Sequence, residues 1–171
     1  MLFRSQWAKA LGAHVIGTTS TPAKAELATA HGCDEVVLYG QEDFVVRTRA
    51  LTGGNGVRVV YDGVGRDTFQ RSLDALGLLG TMVIYGAASG AVEPFDLTKI
   101  AASSLTLIRP TLFHYTQDRA RLEQMAARTF DAYRTGKLRL EVRKKLPLKD
   151  AAIAHRALEG RETVGALVLI P

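Results

Sequence analysis

The chain has 171 residues, 47% hydrophobic and 23% charged, the balance of one globular domain or a domain plus a fragment. No apolar run reaches bilayer-spanning length, and Met1-Leu2-Phe3-Arg4-Ser5 lacks a cationic region before an apolar stretch, so neither a membrane helix nor a signal peptide is expected and the cytoplasm is the expected setting. Cys33, the one cysteine, excludes an internal disulfide and a cysteine-rich zinc site, while the net charge of +5 is scattered apart from Arg119, Arg121 and Arg143-Lys144-Lys145, which speaks for a solvated surface rather than a nucleic-acid partner.

Short apolar runs alternate with amphipathic stretches along the chain. Ser5 to Leu11 reads as the end of a helix, stopped at Gly12. His14-Val15-Ile16-Gly17 reads as a buried strand. Ser20-Thr21-Pro22 opens a second helix, with a hydroxyl cap and a proline in the first turn, that runs to about His31. Glu35 to Leu38 is the next strand, Asp43 to Leu51 a helix, and Thr52 to Gly56 a tight loop. Val57 to Tyr61 is rich in β-formers. Phe69 to Leu76 reads as a helix, Gly80 to Ile84 as a strand, Leu97 to Ala102 as a short helix and Leu105 to Ile108 as a strand. Apolar rather than alternating strands predict burial on both faces, so the expected fold is α/β, a doubly wound parallel sheet.

The pattern changes near residue 115. A long helix is expected from Gln117 to Thr135, with Leu122, Met125, Ala126, Thr129, Phe130 and Tyr133 at three- and four-residue spacing. An extended basic stretch ends at Leu146-Pro147. A helix from Lys149 to Glu159 and a terminal strand, Ala166 to Ile170, follow. That strand stands outside the βα alternation and is expected in a different sheet.

Ligands of doubly wound sheets bind beyond the carboxyl ends of the strands. The loop from Gly17 to Lys24 holds no acid to grip a ribose 2′-hydroxyl. Ser20 and other hydroxyls stand there with Lys24 at a helix N-terminus, which suits a phosphate and favours NADPH over NADH. A plain helix cap with a solvated lysine is the plainer alternative. Tyr39 lies either against an adenosine or on the open surface. Asp62-Gly63-Val64-Gly65 offers close backbone approach, with Asp62 capping the turn. Gly86-Ala87-Ala88-Ser89 leaves room for a nicotinamide, or is a simple turn. His14, His31, His114 and His155 show no metal-ligand spacing, and there is no G-x-S-x-G elbow. No proton donor stands out.

The run Gln6-Trp7-Ala8-Lys9-Ala10-Leu11-Gly12-Ala13 with Val15-Ile16-Gly17-Thr18 resembles the zinc-free quinone oxidoreductases, the zeta-crystallin-like branch of the medium-chain dehydrogenases/reductases. Val59 to Gly65, Arg109-Pro110-Thr111-Leu112, Pro147 to Ala151 with Ala154-His155 and Leu158-Glu159, and Gly165 to Pro171 carry the same resemblance. It implies a Rossmann-type NADP-binding domain over residues 1–115 and a piece of the substrate domain over 116–171. It implies hydride transfer from NADPH to a quinone, enone or other activated carbonyl or alkene, without metal. Cofactor contacts would fall at Ser20, Lys24, Tyr39, Val64, Gly86, Ala87, Ala88, Ser89, Thr111, Leu112, Phe113 and Arg161. A homodimer through the edge strand Leu105 to Arg109 is implied too.

The family's substrate domain, first strand and glycine-rich phosphate loop have no counterpart in these 171 residues. The expectations are therefore weak NADPH binding by this chain alone, little turnover, exposed strand edges, and a terminal strand without its usual partners. A non-catalytic nucleotide-binding or dimerisation module is the alternative.

Overall fold

The computed structural model describes residues 2–160, 163 and 165–171. In chain order the elements are α1 (Leu2–Ala10), β1 (Ile16–Thr19), α2 (Pro22–Ala30), β2 (Glu35–Leu38), α3 (Phe44–Leu51), β3 (Val57–Asp62), α4 (Phe69–Asp74) and β4 (Leu76–Ile84). Then come α5 (Thr98–Ala101), β5 (Thr106–Ile108), α6 (Leu112–Thr116), α7 (Arg119–Arg134), β6 (Val142–Pro147), a 3-10 turn (Leu148–Asp150), α8 (Ala151–Glu159) and β7 (Ala166–Ile170). This is the expected α/β architecture with parallel sheets. The strands fall into three sheets, β1–β2, β3–β4–β5 and β6–β7. By compactness the chain forms two units, residues 1–36 with 126–171, and residues 37–125. No helix among the described residues is long and apolar enough to cross a membrane.

In the unit of residues 37–125, β3–β4–β5 is parallel throughout, with Val60 opposite Met82 and Met82 opposite Leu107. Helix α4 packs against one face. There Phe69, Leu73, Leu76, Met82 and Ile84 form the core, with Phe95, Ile100 and Leu105 around them. The Phe69 and Phe95 rings meet edge to face, 4.9 Å apart. The other face does not follow the expectation of burial on both sides. Val59, Tyr61, Tyr85 and Ile108 on β3, β5 and the end of β4 are exposed, because α4 covers the opposite face.

β4 begins four residues before the expected start, and α4 ends two residues before its expected end. Leu73 and Leu76 share helical spacing, yet Leu76 belongs to the strand, opposite Val57. The cause is a close backbone approach. Gly56 has φ +78°, and a Cβ there would lie 2.7 Å from the backbone of Leu76 and Gly77. Arg49 locks this corner by donating to the carbonyls of Gly54, Asp74 and Leu76. The register then slips between Val57 and Val59, leaving Leu78 and Leu79 exposed on the bulged strand.

In the other unit, Ser5 donates to the His31 carbonyl at 2.8 Å. Gln6 donates to the Arg139 carbonyl and accepts from the Arg139 N–H at 2.7 Å. Lys9 pairs with Asp34, which also accepts from the Val15 N–H. These side chains tie α1 to the start of β1 and to the chain leading into β6. Of the expected apolar stripe of α7, Met125 and Ala126 are half-buried while Leu122, Thr129, Phe130 and Tyr133 are exposed; Ala132 is the buried position, its carbonyl accepting from the N–H of buried Leu138. The basic stretch is itself a strand. β6 pairs in parallel with β7, Val142 opposite Ala166 and Leu146 opposite Leu169, so the terminal strand does have a partner. A parallel pair needs a crossover, and α8 supplies it.

Candidate cofactor site

β1 ends at Thr19, and α2 starts three residues later. The cap is Thr21, whose hydroxyl oxygen accepts from the Lys24 N–H at 3.3 Å, and Pro22 takes the first helical position. Ser20 is exposed and makes no hydrogen bond among the described residues; Lys24 is half-buried on the first turn. Ser20, the Thr21 cap and Lys24 thus stand at the positive end of a nine-residue helix, with no carboxylate between residues 17 and 24. The arrangement can hold a dianionic phosphate.

The remaining described candidates belong to the other unit. β3 ends at Asp62, which is buried at 4% exposure. One carboxylate oxygen accepts from the Val64 and Gly65 N–H groups at 2.8 and 3.0 Å. The other accepts from the Thr68 and Ser72 hydroxyls, both at 2.7 Å. Burial pushes the Asp62 carboxyl up, but these four bonds outweigh it and hold the acid below its ordinary range. The capping role expected of Asp62 is what the structure shows, extended into α4 by Thr68 and Ser72.

The loop after β4 folds onto this turn. Ala88 donates to the Gly63 carbonyl at 3.2 Å, and the Ser89 N–H to the Val64 carbonyl at 2.8 Å. The Ser89 hydroxyl also donates to the Val64 carbonyl and accepts from the Asp67 N–H. A Cβ on Gly86 would stand 2.6 Å from the Gly63 carbonyl oxygen, so only glycine permits this approach. A Cβ on Gly63 would meet the Tyr85 phenol at 2.6 Å, so that ring lies against the bare Gly63 backbone. Among the described residues, no hydrogen bond engages the N–H of Gly86 or Ala87. The structure therefore brings Val64 and the stretch Gly86 to Ser89 together. Tyr39 is half exposed after β2, and Thr111, Leu112 and Phe113 are exposed at the start of α6, with no hydrogen bond to that pair. Arg161 lies outside the described residues.

Sequence reasoning passed over Tyr85, Thr68 and Ser72. The hydroxyl pair had a signal: positions 68 and 72 are one helical turn apart, just beyond an acid and two glycines.

The chain is similar to known proteins in sequence and fold. The profile of the zinc-binding dehydrogenase family matches residues 2–130. A 2-haloacrylate reductase from a Burkholderia species is 44% identical over 167 residues, covering 96% of this chain and 50% of its own length. The structure of Escherichia coli quinone oxidoreductase complexed with NADPH is 45% identical with a TM-score of 0.93, covering 99% of this chain and 53% of that one. Quinone oxidoreductase of Pseudomonas syringae pv. Tomato DC3000 superposes with a TM-score of 0.94 at 43% identity, over 99% and 53% of the two chains. The chain spans about half the length of the curated relatives it matches.

The family's name implies zinc, which needs three or four converging Cys, His or carboxylate ligands. Among the described residues no three such side chains converge. Cys33 is buried, its thiol pKa pushed up by that burial. His31 lies with one ring nitrogen 2.8 Å from the Leu27 carbonyl and the other 3.4 Å from Glu141. These residues do not fit a zinc site. In sequence and fold, the chain belongs to the zinc-binding dehydrogenase family, in its quinone oxidoreductase branch.

Proposed function

We propose that these 171 residues are the cofactor-binding portion of a cytoplasmic NADPH-dependent reductase that delivers hydride, without metal, to a quinone or an electron-poor alkene or carbonyl. The observation that carries the reading is the pair of interlocked loops beyond β3 and β4, which leave the Val64 side chain exposed and, among the described residues, the N–H groups of Gly86 and Ala87 without a hydrogen bond. Ligands of parallel sheets bind at such carboxyl ends. Bound NADPH supplies the hydride. The chain's own residues orient it: Ser20 and Lys24 hold the 2′-phosphate, and Tyr39 lies on the adenosine side. The amides of Gly86 and Ala87 receive the nicotinamide carboxamide beside Val64, Thr111 to Phe113 flank it, and Arg161 adds a cation. Residues 1–115 are the cofactor domain on this reading, and 116–171 a piece of the substrate domain. The NADPH complex of a relative 45% identical supports the cofactor, and the 2-haloacrylate reductase supports alkene acceptors.

β5 ends the sheet order β3–β4–β5, so one of its edges faces away from β4. Pairing of that edge, residues Leu105 to Arg109, with a second copy makes a dimer. Light scattering is expected to give twice the 18.5 kDa chain mass; a monomer contradicts it.

The second reading is a non-catalytic nucleotide-binding module. NADPH titration of the purified chain, with an assay of quinone-dependent NADPH oxidation, separates the two. The enzyme reading expects saturable NADPH binding together with quinone-dependent NADPH oxidation. Binding with no turnover supports the module.

A further inference from the structure

We propose that Asp62 and Ser89 are positioning residues, a clasp that fixes the loop after β3 to the loop after β4 and thereby shapes the nicotinamide end of the site. The inference rests on the cofactor reading above and deepens it.

Val64 is held at both its backbone groups. Its N–H donates to the Asp62 carboxylate at 2.8 Å. Its carbonyl accepts twice from Ser89, from the N–H at 2.8 Å and from the hydroxyl at 2.9 Å. Ser89 also accepts from the Asp67 N–H at 3.0 Å, and Arg66 donates to the Gly90 carbonyl at 3.2 Å. A serine hydroxyl has one proton, and here it goes to Val64, so Ser89 has none to donate to a ligand. The family resemblance implies a contact at Ser89; the geometry assigns it a role through Val64 instead. Asp62 acts from beneath, with every carboxylate bond directed into the turn or α4. What remains uncommitted among the described residues is the exposed Val64 side chain and the two amides of Gly86 and Ala87. Their separation is set by the clasp, because Gly86 already touches the Gly63 backbone and cannot move closer. Ser89 is half-buried and stands apart from the core around Leu76 and Met82. Its removal should loosen the loops without unfolding the sheet.

The test compares the wild-type chain with Ser89→Ala, Ser89→Thr and Asp62→Asn. The readouts are residue-resolved amide hydrogen exchange, thermal unfolding and NADPH titration. Ser89→Ala is expected to shift the Tm by less than about 3 °C and to speed exchange at Asp67. It should also speed exchange at Gly65, whose N–H Ser89 does not touch. NADPH binding weakens about 5- to 10-fold, the loss of one hydrogen-bonded constraint. Ser89→Thr restores all three. Asp62→Asn speeds exchange at Ser89, across the clasp. Faster exchange confined to Asp67, unchanged NADPH binding in Ser89→Ala, or global loss of protection each overturns the proposal. If the wild-type chain shows no saturable NADPH binding while both loops loosen together, the clasp stands and the cofactor reading falls, taking the positioning role with it.

Discussion

Asp62→Ala is expected to lower the unfolding free energy by about 3–4 kcal/mol, among the largest effects of any single substitution in this chain. The carboxylate receives four hydrogen bonds, two from backbone N–H groups and two from hydroxyls. Alanine leaves the Val64 and Gly65 N–H groups beside a small void, and each unpaired buried donor costs about 1–3 kcal/mol. Thr68 and Ser72 lose less, since their hydroxyls can turn toward helix carbonyls. Asp62→Asn is expected to cost about half as much: its carbonyl oxygen still accepts from the backbone, and its amide donates to the two hydroxyl oxygens. The same acid predicts a pH dependence. Its pKa is depressed in the folded chain, so the unfolded chain binds a proton at higher pH than the folded chain does. Its contribution is complete above the ordinary aspartate pKa of about 3.9 and fades as pH falls through the lower folded value. Urea titrations between neutral pH and about pH 3 should show a steeper acid loss in the wild type than in Asp62→Asn. Parallel curves would contradict this account of the turn.

Lys24→Ala is expected to weaken NADPH binding about 10-fold and to leave NADH binding within about 2-fold. The lysine is on the first turn of α2, after the Thr21 cap, at the positive end of the helix dipole. Only NADPH carries a phosphate there. A charge-assisted contact at a half-buried position is worth about 1.4 kcal/mol, the low end of its range. Lys24→Arg should keep most of the preference, since a guanidinium also pairs with phosphate. Equal losses for both cofactors would assign Lys24 to the helix rather than to the phosphate.

Local chemistry made much of the fold readable. Thr21 and Pro22 marked the start of α2, and the β-formers of 57–61 marked β3. β6 stayed hidden because Arg143, Lys144 and Lys145 break any apolar alternation; its strand state comes from pairing with β7 through α8. The first half of β4 was hidden for a different reason. Leu73 and Leu76 satisfy a helical period, and Gly77 and Gly80 read as breakers. Only the packing of Gly56 against Gly77, brought together from 21 positions apart, makes that stretch a strand. On α7, spacing identified a stripe but not its partner, and Ala132 rather than Phe130 is buried. At the candidate site, the positions of Lys24, Val64 and Gly86 to Ser89 follow from counting strands. That the Ser89 proton belongs to Val64 does not, because it depends on the distance between two loops.

The most direct test is calorimetric titration of the wild-type chain with NADPH and with NADH under one buffer and salt. The account predicts saturable binding of NADPH at least about 10-fold tighter than NADH, with the difference removed by Lys24→Ala. NADH binding as tightly as NADPH would contradict it.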